Sequence, residues 1–258
     1  ALVQIVACTK TVDTTTNNSI TKETSSDAVV SEFDNCKLRN IIHHYGGDPF
    51  SSLVNGLFTY NKGNPISLTY GNQTGTGNPN HYFLYDKQNR LREYRIGYSI
   101  DDPVEAEWHK YGYNDKGQIS VDSIVSAPLF GEDGQPLPGD TIVITLTYDD
   151  QNRIIKESIR NIKGGPIRNP TYTYDSRGNL AVKGWKSSSY DNKVSIFRSH
   201  PVFQFIHRNY SKNNAAPQAK YNSKGLPLSM NPANDAFFNA YPTLSGGSGI
   251  TKVMYDCL

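Results

Sequence analysis

The stretch Tyr85-Asp86-Lys87-Gln88-Asn89-Arg90-Leu91 decides how this chain is read, because its pattern keeps returning. Tyr60–Ile66 (YNKGNPI), Tyr113–Ile119 (YNDKGQI), Tyr148–Ile154 (YDDQNRI) and Tyr174–Leu180 (YDSRGNL) repeat it, starting 25, 28, 35 and 26 residues apart. A degenerate copy, YNSKGLPL, begins at Tyr221, and Tyr255-Asp256 is a stub. Self-similarity at this period points to one supersecondary unit used several times. Asp or Asn after the Tyr can hydrogen-bond the backbone two residues on and start a type I turn. Gly or Asn three residues later, at Asn64, Asn89, Gly117, Asn152 and Gly178, tolerates positive φ. A type I turn followed by a left-handed residue makes a three-residue hairpin with a G1 bulge.

That turn sets a register. Asp86 faces Arg90 and Asp149 faces Arg153 on one side. On the other side Tyr85 faces Leu91, Tyr113 faces Ile119, Tyr148 faces Ile154 and Tyr174 faces Leu180. Extended outward by a period of two, Phe58 meets Leu68, Tyr111 meets Val121 and Tyr172 meets Val182. The same extension makes Phe83/Glu93 and Leu146/Lys156 breaks in the apolar face. The fold expected is mainly β: an antiparallel meander of long hairpins, forming one curved sheet or an open barrel-like stack. The Gly/Pro-rich stretches 71–81 and 126–140 read as connections.

The periodicity stops after Trp185. His200–Asn209 then places Pro201 at a first helical position, where proline is tolerated. Val202, Phe205, Ile206 and Asn209 share one face at 3.6 spacing. A short helix laid across one end of the sheet as a plug is expected there, with a continuing strand as the alternative, and a further helical turn within 233–241.

Composition narrows function. In 258 residues, hydrophobic residues are 36% and aromatic residues 11%, with 17 Tyr. Net charge is +2, with both signs interspersed, which does not make the basic face that nucleic acid requires. No apolar run approaches the ~18 residues of a membrane-spanning helix.

The segment Ile5-Val6-Ala7-Cys8 resembles the lipobox that closes a bacterial lipoprotein signal peptide. The resemblance implies that Cys8 carries the lipid; the alternative is a short strand with a buried thiol. Residues 9–31, rich in Ser and Thr over 9–26, are too polar to form a core and read as a tether. Residues 32–258 then form one domain of hairpin repeats. With Cys8 lipidated, two thiols remain, and an oxidising compartment pairs them. A Cys36–Cys257 bridge would contribute roughly 5 kcal/mol in the chain-entropy treatment; two separate buried thiols are the alternative.

The Y-D-x-x-G/N-x-L unit resembles the YD repeat of Rhs-type and teneurin-type surface proteins. The wider order of Cys36-Lys37-Leu38, Phe58–Asn61, Gly63–Ile66 and the segment from Tyr190 to Leu228 resembles exported Bacteroidota lipoproteins built from such hairpins. This likeness implies a fold and an address, the cell envelope, but no activity.

The search for chemistry is less productive. His43-His44 point apart in any regular element and read as a packed or solvated pair. His200 and His207 lack an acidic partner in sequence and read as structural. Asp101-Asp102 and Asp149-Asp150 could serve as acid and base only if folding brought two carboxylates together. Gly246–Gly249 lacks the strand–turn–helix context of a nucleophile elbow. Nothing implies a metal or cofactor. Tyr94, Tyr98, Tyr190, Tyr210, Trp108 and Trp185 fall outside the core register, so they are the candidate ligand-binding aromatics. The reading is a lipid-anchored, non-catalytic binding or structural module, its partner an envelope glycan or protein. The alternative is a secreted hydrolase of glycans or peptides.

Overall fold

The computed structural model describes residues 36–44, 53–70, 79–100, 107–126, 139–181, 190–215, 220–229 and 250–257. Cys8, the tether, Trp185, the side chains of His43 and His44, Asp101-Asp102, the 233–241 segment and Gly246–Gly249 lie outside them. Nine strands follow in order: β1 Cys36–His44, β2 Leu53–Asn61, β3 Asn64–Thr69, β4 Asn80–Tyr85, β5 Leu91–Gly97, β6 Glu107–Tyr113, β7 Ile119–Val125, β8 Thr141–Tyr148 and β9 Ile154–Asn161. Short strands β10 Tyr190–Val194, β11 Asn213–Ala215, β12 Lys220–Tyr221 and β13 Pro227–Ser229 come later, and β14 Ile250–Cys257 ends the series. A 3-10 turn at Ile196–Ser199 and helix α1, Pro201–Ile206, lie between β10 and β11. The sheet runs β14-β1-β2-β3-β4-β5-β6-β7-β8-β9, antiparallel throughout and open. It is an uninterrupted meander except where the last strand returns to the first.

Local chemistry explains the hairpins. The Asp86 carboxylate accepts from the backbone N–H of Gln88 and Arg90, each at 2.9 Å, and Asn89 N–H donates to Asp86 O at 3.0 Å. Asn114, Asp149, Asp175 and Asn222 make the same set. Asn89, Gly117, Asn152, Gly178 and Gly225 accordingly take φ between +61° and +83°. The copy at Tyr221 is therefore a regular unit. The copy at Tyr60 is the deviant one: Lys62 (φ +49°) and Gly63 (φ +87°) make a two-residue turn, and Asn64 begins β3. Two positive φ values are the type I′ signature. Asn64 is thus not the left-handed residue, and Pro65, one position early, faces Tyr60.

The rim pairs Tyr85/Leu91, Tyr113/Ile119, Tyr148/Ile154 and Tyr174/Leu180 stand opposite one another. The outer pairs differ from expectation, because each return strand carries one extra residue just after the rim: Ile66, Arg92, Ser120 and Ile155. Such a bulge reverses side-chain parity beyond it. Tyr111 faces Asp122 rather than Val121, Phe83 faces Tyr94 rather than Glu93, and Leu146 faces Glu157 rather than Lys156. Phe58 does face Leu68. The inward residue is therefore the third after the rim aliphatic: Leu68, Tyr94, Asp122 and Glu157, all buried.

The repeated Tyr has a second task. Its hydroxyl donates to the rim carbonyl of the preceding hairpin: Tyr85 to Pro65 at 2.9 Å, Tyr113 to Leu91 at 2.9 Å, Tyr148 to Ile119 at 2.7 Å and Tyr174 to Ile154 at 3.2 Å. Adjacent hairpins are latched rim to rim, with the phenol ring packed on the core. Burial raises the hydroxyl pKa of each, Tyr113 to about 12, which keeps them donors at any physiological pH. Helix α1 lies against the inward face. Phe203 packs on Phe58 and Phe83 and Phe205 on Tyr111, with centroids 5.1–6.2 Å apart, and Val202, Phe203 and Phe205 join the single large core cluster.

Candidate functional site

The parity reversal sends two acids, Asp122 on β7 and Glu157 on β9, to the inward face beside α1. Both meet Arg208. This residue follows α1, where the backbone leaves the helix with Arg208 at φ +51°. Its Nε donates to Glu157 Oε1 at 2.6 Å, Nη2 to Asp122 Oδ2 at 2.9 Å, and Nη1 to the Phe205 carbonyl at 2.5 Å. The guanidinium carbon stands 4.4 Å from the Phe205 ring centroid. Side-chain exposure is 13% for Arg208, 1% for Asp122 and 7% for Glu157. Charges so withdrawn from water persist only when paired and hydrogen-bonded.

The network extends further. His109 Nδ1 lies 2.9 Å from Asp122 Oδ1, and its Nε2 lies 2.9 Å from Glu107 Oε1, which reaches solvent. Burial opposes the imidazolium, but hydrogen bonds to Asp122 and then Glu107 outweigh it and raise the His109 pKa to about 9. The imidazolium donates from both nitrogens at neutral pH. Tyr172 OH donates to Glu157 Oε2 at 3.0 Å. For Arg208, burial works against the charge, but Asp122 and Glu157 hold its pKa above the ordinary value.

Two histidines anchor the ends of α1. His200 is the N-cap: its Nδ1 accepts from Val202 N–H at 3.2 Å, so Nε2 carries the proton toward Asn64 Oδ1 at 3.1 Å. Burial lowers its pKa to about 4. His207 closes the helix, and burial lowers its pKa to about 3. Above pH ~5 both rings are neutral.

The arrangement ties the end of α1 to the inward face of the sheet. Every oxygen of the two convergent carboxylates accepts from a named donor: Arg208 and His109 on Asp122, Arg208 and Tyr172 on Glu157. Among the described residues no group of three or more His, Cys, Asp or Glu side chains could hold a metal ion.

The aromatics expected to bind a ligand fall into two sets. Tyr94, Tyr190 and Tyr210 belong to the interior, which corrects their placement outside the core register. Tyr94 is 4% exposed, turned inward by the Arg92 bulge, with its hydroxyl 2.6 Å from His81 Nδ1. Tyr190 is buried and donates to the Leu180 carbonyl at 2.7 Å, taking the latching role of a repeat tyrosine. Tyr210 packs on the main core. Trp108 and Tyr98 occupy the other set. Tyr98 is 47% exposed. Trp108 lies on the outward face of the sheet in the row Ser67–Tyr82–Arg95–Trp108–Val125. The Arg95 guanidinium stands 4.8 Å from the Trp108 ring centroid and is itself held by Glu93 at 2.6 Å.

The buried network escaped the sequence reading. The signal that could have found it is position, an acid three residues after a rim aliphatic in two different units. Cys36 and Cys257 face each other across β1 and β14 and form a disulfide. Among the described residues no helix is long and apolar enough to cross a membrane. No protein-family model matches the chain, and no curated protein matches it either.

Proposed function

We propose that the chain is an exported, lipid-anchored protein of the cell envelope that works as a non-catalytic binding or structural module. The observation that carries this reading is the Cys36–Cys257 disulfide, a bond that belongs to oxidising compartments. The lipobox-like Ile5-Val6-Ala7-Cys8 and the Ser/Thr-rich stretch behind it supply an anchor and a tether. The binding surface is the outward sheet face around Trp108, with an envelope glycan or protein as ligand. Trp and Tyr rings offer flat apolar area with a polar handle, suited to either. Two measurements test this. A labelled fatty acid should enter the full chain and be lost in Cys8→Ala. An envelope-glycan array should bind the chain and lose signal in Trp108→Ala. An unlabelled chain removes the anchor, and an array at background leaves a structural role.

A second reading, a hydrolase of glycans or peptides, draws on the convergence of Asp122 and Glu157 on one guanidinium. It requires Arg208 to release them. Turnover of a glycan or peptide panel that disappears in Asp122→Asn, with the fold intact, would establish it.

A further inference from the structure

We propose that β14 and β1 are the two halves of one more repeat unit, in which the Cys36–Cys257 disulfide stands where other units have a covalent turn. Closure of the hairpin rim is then conditional on oxidation. In an ordinary unit the rim Tyr faces the aliphatic of the return strand, the acid faces the residue before that aliphatic, and one extra residue follows. β14 and β1 reproduce each feature. Tyr255 faces Leu38 and Asp256 faces Lys37, as Tyr85 faces Leu91 and Asp86 bonds Arg90. Arg39 is the extra residue, between Leu38 and Asn40, in the place of Arg92. Ile41, third after Leu38, is buried like Leu68 and Tyr94. Where the turn would be, Cys257 faces Cys36.

The split unit is also latched like the others. Tyr255 OH donates to the rim carbonyl of Pro227 at 2.8 Å. Tyr221 in turn donates its hydroxyl to the Asp191 carboxylate, beside Tyr190. Tyrosine hydroxyls thus bridge successive units from Tyr85 to Tyr174, and Tyr255 bridges the β14–β1 pair to the Tyr221 unit, while the ten-stranded sheet stays open. Among the described units, the pair β14–β1 is the one joined at its rim by a bond that chemistry can reverse. Its formation joins two thiols with loss of two protons and two electrons to a disulfide oxidant, which leaves as a dithiol. A dithiol reductant reverses the step and becomes a disulfide. Lys224 Nζ, from the neighbouring hairpin, lies 3.5 Å from Cys36 Sγ.

The test is amide hydrogen exchange on the full chain, before and after native reduction with dithiothreitol, with Cys36→Ser/Cys257→Ser as a variant that needs no reductant. Exchange across residues 250–257 and 220–229 should accelerate at least tenfold, while the turn amides of Asn89, Gly117 and Asn152 keep their protection. In the oxidised chain, Tyr255→Phe should release residues 220–229 alone. Loss of protection everywhere at once would make the bond a staple of the whole domain and overturn the proposal. Unchanged protection at 250–257 would overturn it equally, by showing that the rim closes without the bond.

Discussion

Arg208→Met removes one guanidinium and keeps an unbranched side chain of similar reach on Phe205. It strands Asp122 and Glu157, which are 1% and 7% exposed. Removing one partner of a buried ion pair costs ~3–5 kcal/mol, because the remaining charge stays uncompensated. Here each acid keeps one donor, His109 on Asp122 and Tyr172 on Glu157, so the loss should fall near ~3 kcal/mol. Against a domain stability of ~5–15 kcal/mol that is a large fraction. In urea titrations at pH 7 with the disulfide intact, it corresponds to a midpoint lower by about 1 M at a slope of ~3 kcal/mol/M. Glu157→Gln in the Arg208→Met background should return part of the loss, since it removes one stranded charge. The double-mutant cycle should show a coupling of ~1 kcal/mol or more. A loss below ~1 kcal/mol, or an additive cycle, would show that the carboxylates are hydrated in solution and would refute the buried network.

The same groups set a stability optimum in pH. His109 has a raised folded pKa of about 9, so its contribution is complete below the unfolded value of ~6.5 and disappears as pH rises toward 9. His200 and His207 have lowered folded pKa values of about 4 and about 3, so their contribution is complete above ~6.5 and declines as pH falls toward 4. Thermal melts should therefore peak near pH 6.5, and a monotonic rise from pH 5 to 9 would contradict the assignments. Gly56→Ala should cost ~1–3 kcal/mol by overpacking, because its Cβ would lie 2.8 Å from Leu68 and 2.9 Å from Tyr70; calorimetry that finds the variant as stable as the parent would displace this packing. Gly117→Ala meets no atom within 4 Å and holds φ +75°, so it should cost only the backbone term of ~1–2 kcal/mol; a larger loss would mean the turn is packed. Tyr113→Phe deletes the donor to the Leu91 carbonyl and should lower stability by ~1 kcal/mol, read by urea midpoint; no change would leave the rim latch without energetic weight.

Turn chemistry is local, and the sequence carried it nearly in full. Asp86 bonds only groups from Gln88 to Arg90, within four residues, so the hairpins, their rim pairs and the mainly β meander could be read directly. The first unit failed for an equally local reason: Lys62-Gly63 offers a shorter turn than the three-residue pattern assumes. The bulge after each rim was not readable, since Arg92, Ser120 and Ile155 share no residue type, and that one-residue slip moved Tyr94, Asp122 and Glu157 indoors. Proline at a helix start and 3.6 spacing placed α1, but not what its final turn would grip.

Only folding could decide contacts between residues far apart in the chain. Arg208 lies 86 residues from Asp122 and 51 from Glu157. No periodicity encodes such meetings. They arise because an antiparallel meander lays successive hairpins side by side until its last strand returns to its first, and because buried charges there survive only where opposite ones arrive with them.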